Sequence, residues 1–119
     1  PLYAVGAEQD HIAPWKETFK ICNLVKGPVR YTLATSGHIF GIINPPVTPP
    51  QRRYWTSDAQ SHIDALKWRD KTPKVAGSWV DDWVTWLKPQ CGELVEPPTM
   101  GSKTYPVLMP APGSYVLER

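Results

Sequence analysis

The chain has 119 residues, 41% apolar and 20% charged, with a formal net charge of +2. That length suits one ordinary domain or a piece of a larger one, and the apolar content excludes a disordered tail. The small net charge gives no electrostatic ground for binding nucleic acid, and no apolar stretch is long enough to span a bilayer.

No basic start followed by an apolar run and a small-residue cleavage site is present, so a signal peptide is not expected. The chain opens at Pro1 without an initiator Met, as a segment of a longer polypeptide would. Its two cysteines, Cys22 and Cys91, are too few for the disulfide framework of a small secreted scaffold. A reducing cytoplasm is the simpler expectation.

In chain order, Leu2 to Ala7 is a short apolar run that reads as a buried strand. Glu8-Gln9-Asp10-His11 then falls on the loop at its C-terminal end. Pro14 fits the first turn of a helix running to about Val25, with Trp15, Phe19, Cys22 and Leu24/Val25 on one apolar face. Gly27-Pro28 ends it. Val29 to Thr35 is a second strand, followed by Ser36-Gly37-His38.

Equivalent points of the two strands lie roughly 25–30 residues apart, the length a βαβ crossover needs. Parallel strands present both C-terminal ends at one edge of the sheet. Asp10 and His38 are therefore expected side by side.

Beyond His38, Pro45, Pro46, Pro49 and Pro50 forbid helix or central strand and predict an extended surface connection. Ser57 is expected to cap a helix over roughly 58–68, with Gln60 as the reciprocal partner. Residues 70–77 read as a polar turn. Ser78, with Asp81 three positions on, opens a helix carrying Trp79, Trp83, Trp86 and Leu87 on one face, ended by Pro89 and Gly92. The rest is Pro-rich and irregular, with one short strand expected at residues 114–117.

An Asp beside a His is the orienting half of a catalytic triad, in which the carboxylate fixes the imidazole tautomer and stabilises the imidazolium. Asp10 before His38 is the order of an α/β hydrolase, but no Gly-x-Ser-x-Gly or Gly-x-Cys-x-Gly elbow is present. A nucleophile would have to precede residue 1. Equally, a single Asp after a strand serves as a turn former and a single His as a structural hydrogen-bonder. His11 is a loop neighbour of Asp10, and His62 falls on the expected 58–68 helix. Cys22 faces a core, and Cys91 has no neighbouring base to activate it. No close pair of His and Cys residues suggests zinc. The Trp stripe suits core packing or a buried interface.

Residues 6–15, GAEQDHIAPW, resemble the acid-loop motif of the polyhydroxyalkanoate synthases, and residues 34–46, ATSGHIFGIINPP, resemble their histidine motif. Gly77-Ser78-Trp79 with Asp82-Trp83 and Trp86-Leu87, and the terminal PAPGSYV, are similar as well. Residues 56–76 match least. The Gly41-Ile42-Ile43 spelling is closer to the single-subunit, short-chain (class I) branch.

The resemblance implies an α/β fold for residues 1–119, namely the C-terminal portion of an α/β-hydrolase catalytic domain. Two parallel strands with helices would be followed by a Pro-rich irregular C-terminal region. It implies that Asp10 is the triad acid and His38 the general base for a Cys outside this chain. The reaction would polymerise (R)-3-hydroxyacyl-CoA into a growing polyester with release of CoA, without a cofactor or metal. His11 would contact the CoA arm. Homodimerisation and a cytoplasmic location at the surface of polyester granules follow from the same resemblance. Two alternatives stand beside it: a serine esterase or lipase segment with Ser at the upstream elbow, and a non-catalytic Trp- and Pro-rich interaction module.

Overall fold

Strand β1 (Leu2–Ala7) lies parallel to β2 (Val29–Ala34), with Leu2 opposite Val29 and Ala7 opposite Ala34. These are the two strands expected from the apolar runs, in the expected relative direction. The computed structural model describes residues 1–59 and 61–119. The sheet continues where the sequence suggested a helix. Strand β3 (Arg53–Ala59) pairs antiparallel with β2, and β4 (Lys74–Ala76) pairs antiparallel with β3. The order β1-β2-β3-β4 makes a mixed, four-stranded α/β sheet.

Between β1 and β2 the expected single helix is two separate turns, α1 (Trp15–Thr18) and α2 (Ile21–Leu24). At their junction the bonds tighten to three-residue spacing, Lys20 N–H to Glu17 O and Cys22 N–H to Phe19 O. Thr18 explains the break. Its hydroxyl lies 2.7 Å from that of Tyr31 on β2 and 3.0 Å from the Trp15 carbonyl, so it competes for helical backbone.

The helix expected over 58–68 is displaced. Residues 53–59 are strand, and α3 (Ala65–Lys71) starts later, capped by Asp64, whose carboxylate accepts from Lys67 N–H. Ser57 lies within β3 opposite Tyr31, and its hydroxyl accepts the indole N–H of Trp68 at 2.8 Å. Gln60, its expected capping partner, lies outside the described residues. The turn expected over 70–77 is taken up by the end of α3 and by β4.

Residues 45–50 are exposed and carry neither helix nor strand, as four prolines require. Helix α4 (Trp79–Leu87) forms where Ser78 and the Trp spacing place it, and Ser78 caps it by accepting from Val80 N–H at 3.1 Å. Among the described residues the Asp81 carboxylate makes no return bond. A 3-10 turn, Lys88–Gln90, follows. The strand expected at 114–117 is instead a 3-10 turn, Tyr115–Leu117; among the described residues that short apolar run pairs with no strand of the sheet.

Alternation along β2 gives the sheet two different faces. Val29, Tyr31 and Leu33 pack with Trp15, Phe19, Cys22, Trp55 and Trp68 in the apolar core. Tyr31 meets Phe19 and Trp68 edge-to-face, with ring centroids 4.8 and 5.2 Å away. Burying each of the larger side chains contributes about 1.5–3 kcal/mol.

The other face is polar. Arg30 grips Asp82 of α4 through Nε at 2.8 Å and its terminal nitrogen at 2.6 Å, while the Tyr3 hydroxyl donates to the same carboxylate at 2.8 Å. The Thr32 hydroxyl oxygen lies 2.9 Å from that of Tyr3 and 2.8 Å from that of Thr56, with one proton to give between them. The rings of Trp79 and Trp86 lie 6.3 and 5.3 Å from that of Tyr3. Trp79 and Trp86 are half-buried while Trp83 is exposed, so only part of the Trp stripe packs on this sheet.

Candidate active site

The parallel register carries past the strands. Glu8 N–H donates to Ala34 O at 2.8 Å and Gln9 N–H to Ser36 O at 2.9 Å, which brings the loops after β1 and β2 together. Asp10 lies three residues beyond Ala7 and His38 four beyond Ala34 at the same edge of the sheet. Nδ1 of His38 is 2.9 Å from Oδ2 of Asp10. The expected juxtaposition is present.

Each Asp10 oxygen has its own task. Oδ1 accepts from the backbone N–H of Ile12 and of Ala13, both at 2.9 Å, leaving Oδ2 turned to the imidazole. The Ala13 bond does most to pull the carboxyl down to about 2, with smaller help from His38 and Ile12 that outweighs the penalty of desolvation. Asp10 is therefore ionised and can only accept, so the proton between the two side chains belongs to Nδ1. In the neutral ring that tautomer makes Nε2 the nitrogen with the free lone pair, and among the described residues nothing donates to it. The Asp10 side chain is 6% exposed and that of His38 45% exposed, so a fixed anion holds a ring whose far edge is accessible.

The His38 loop has unusual backbone. Ser36 adopts φ 95°, a conformation that side-chain-bearing residues rarely take, and it redirects the chain out of β2. A helical turn follows, with Gly41 N–H bonded to Gly37 O at 2.8 Å and Ile43 N–H to Ile39 O at 2.8 Å. Gly41 packs so tightly on β1 that a Cβ there would stand 2.4 Å from the Cβ of Ala7. Ile12, Ile39, Phe40 and Ile43 are exposed around the pair. Phe40 and Ile43 join Asn44, Val47 and Arg52 in lining a cleft of about 320 Å³.

His11 is exposed and, among the described residues, makes no hydrogen bond. His62 is not on a helix; it occupies a left-handed turn, φ 64°, with its N–H donating to Asn23 Oδ1 at 2.6 Å. Cys22 is buried in the core, where burial pushes its thiol up. Cys91 is exposed beyond the C-terminal end of α4, the end opposite the one that meets the His38 loop. Among the described residues no group of three or more His, Cys, Asp or Glu could hold a metal ion, and no helix is long and apolar enough to cross a membrane.

Sequence reasoning missed the supports of the loop. Trp79 Nε1 donates to Gly41 O at 3.0 Å, and the Ser78 hydroxyl donates to Asn44 O. The visible signal was the Ser78 cap itself, which gave no hint that the same hydroxyl also reaches a remote carbonyl.

An ionised carboxylate holding an imidazole at a sheet edge defines a segment able to serve acid–base chemistry. No family model matches the chain. It is 38% identical over 118 residues to poly(3-hydroxyalkanoate) polymerase 2 of Ectopseudomonas oleovorans, which is 98% of this chain and 21% of the relative. It is also 38% identical over 117 residues to the poly(3-hydroxyalkanoate) polymerase subunit PhaC of Cupriavidus necator, covering 98% of this chain and 20% of that protein. Polymerase 1 of Ectopseudomonas oleovorans is 35% identical over 119 residues, 99% of this chain and 21% of the relative. Along nearly its whole length the chain thus matches a segment of the poly(3-hydroxyalkanoate) polymerases, also called polyhydroxyalkanoate synthases. It spans about a fifth of the length of the curated relatives it matches.

Proposed function

We propose that this chain is the acid- and base-bearing part of an acyltransferase that polymerises (R)-3-hydroxyacyl-CoA, and that it is completed by a cysteine outside these 119 residues. The fold is then the C-terminal part of an α/β hydrolase. The observation that carries the reading is the 2.9 Å contact of His38 Nδ1 with Asp10 Oδ2, which leaves Nε2 free to take a proton. The chain's own thiols do not fit the role of nucleophile, since Cys22 is buried in the core and Cys91 lies past the wrong end of α4.

The chemistry follows. Nε2 takes the proton of the incoming thiol, and the thiolate attacks the thioester carbonyl of the substrate. The carbon–sulfur bond to CoA breaks, and the departing thiolate takes the proton back from the imidazolium. The protein then carries the acyl group as a new thioester. The 3-hydroxyl of another unit gives its proton to Nε2 and attacks that thioester, lengthening the polyester by one ester bond and freeing the cysteine. Asp10 stabilises the imidazolium in both halves. The exposed apolar side chains beside His38 suit the acyl chain, and the exposed His11, next to Asp10, is the residue assigned to the CoA arm. On this reading the protein works in the cytoplasm, at the surface of the polyester it makes.

The test is CoA release by the polymerase that carries this segment. His38→Ala and Asp10→Asn should each lower kcat by about 10³–10⁴. Undiminished release by the His38→Ala protein would refute the assignment.

A further inference from the structure

Among the described residues the His38 ring has one polar tether, and almost half of its side chain is exposed, so its position depends on the backbone turn that carries it. That turn is only partly held by its own side chains: Ile39, Phe40 and Ile43 are each more than half exposed, with Arg52 5.6 Å above the Phe40 ring, while Asn44 is buried. Its entry is Ser36, at φ 95°.

Three further contacts tie it to the rest of the fold. Gly41 is pressed against Ala7, Trp79 Nε1 donates to Gly41 O at 3.0 Å, and the Ser78 hydroxyl donates to Asn44 O. Two of these come from the start of α4, its cap Ser78 and its first residue Trp79. One turn further along the same helix, Asp82 is fixed to Arg30, Tyr3 and Thr56 on the three strands β2, β1 and β3. Helix α4 thus joins two sets of hydrogen bonds, those of Asp82 to the sheet and those of Ser78 and Trp79 to the carbonyls of the His38 turn.

We propose that Trp79 is a positioning residue for acyl transfer: its indole N–H, on a helix anchored to the sheet by Asp82, fixes the Gly41 carbonyl and so the turn from which His38 projects. The proposal rests on the assignment of His38 as the base. Trp79 touches no reacting atom. It acts by keeping Nε2 where a thiol and a hydroxyl must each reach it, and displacements of an ångström or less at such a site lower the rate steeply.

The experiment uses the full polymerase carrying this segment, with Trp79 replaced by its benzothiophene isostere, which keeps the ring shape and lacks the N–H. Trp79→Phe is the genetic counterpart. The readouts are kcat and KM for CoA release, the thermal unfolding midpoint, and the low-field Nδ1 proton resonance of His38 in histidine-labelled protein. The isostere should lower kcat by about tenfold with KM and the unfolding midpoint unchanged, and should weaken the Nδ1 resonance as the Asp10 contact loosens. If the isostere keeps full kcat and the resonance while His38→Ala is inactive, Trp79 is not a positioning residue and His38 remains the base. If the isostere lowers only the unfolding midpoint, its role is structural and the proposal fails. If His38→Ala stays active, the catalytic assignment falls and the proposal falls with it. Should Trp79→Phe fail to fold, the isostere decides.

Discussion

Asp82 on α4 and Arg30 on β2 meet through two hydrogen bonds, at 2.6 and 2.8 Å, across the polar face of the sheet. Burial pulls the Asp82 carboxyl upward, but the bonds from Arg30 and Tyr3 outweigh it and leave it below its ordinary value. A carboxyl depressed in this way stabilises the fold at pH values above the ordinary carboxylate range. That contribution fades as pH falls through the lowered value. Asp82→Ala leaves the half-buried Arg30 with only the exposed Asp58 and removes the acceptor of Tyr3. The expected loss is about 1.5–3 kcal/mol, read by denaturant unfolding at neutral pH and shrinking in acid. A loss that is the same at both would contradict this account of the pair.

Asp10→Asn separates the two tasks of that residue. An Asn oxygen can still accept from Ile12 and Ala13, so the loop should keep its shape and the unfolding midpoint should move little. Its amide would present N–H groups to His38 Nδ1, however, which forces the ring proton onto Nε2 and removes the base. The expected outcome is loss of kcat without loss of fold. In the unmodified protein the Asp10 carboxyl should titrate near 2, so its contribution is complete above 3.8 and disappears between 3.8 and about 2. A carboxyl titration followed by carbon NMR with its midpoint at 3.8 would contradict the hydrogen-bonding assigned to it.

Glycine substitutions should divide sharply. A Cβ at Gly41 would stand 2.4 Å from the Ala7 Cβ and 2.9 Å from the Gly37 oxygen. Gly41→Ala should therefore cost about 1–3 kcal/mol and displace the His38 turn, lowering kcat as well. At Gly27 the same methyl meets nothing within 4 Å. Gly27→Ala should be neutral or stabilise slightly, by up to about 1 kcal/mol. Equal effects in unfolding measurements would count against the packing of Gly41 on β1.

Trp68 is buried between Phe19 and Tyr31, with its indole N–H on Ser57. Trp68→Ala should cost about 3–5 kcal/mol, since the void it leaves is walled by a strand and two helical turns that cannot all collapse. Denaturant unfolding reads this directly.

The parallel pair and the Asp10–His38 contact were legible because they rest on short-range signals, two apolar runs bounded by turn residues and one crossover of suitable length. Helix α4 was legible from a cap and a 3.6-residue Trp period. Strand β3 was not, because Thr56, Ser57 and Asp58 interrupt its apolar pattern. Two of these hydroxyls are tolerated in the sheet only because Trp68 and Thr32 bond them from distant positions. Asp64 and Ser57 carry the same capping chemistry, so the sequence does not by itself say which of them starts α3. The break between α1 and α2 depends on Thr18 finding Tyr31 across the core. The link from Trp79 to Gly41 joins positions 38 residues apart and leaves no pattern in either segment.

The 119-residue chain by itself should release no CoA from (R)-3-hydroxyacyl-CoA, because the proposed nucleophile is not among its residues. Release that is abolished by His38→Ala in the isolated chain would overturn the assignment of an external thiol.

A single-turnover assay addresses the base most directly. Excess polymerase carrying this segment is mixed with substrate, and the first equivalent of CoA is followed together with the mass of the protein. The unaltered enzyme should release one burst of CoA and gain one hydroxyacyl group, whereas His38→Ala should show neither on the same timescale. A full burst with an acylated His38→Ala protein would mean that another group accepts the thiol proton, and His38 would lose its role.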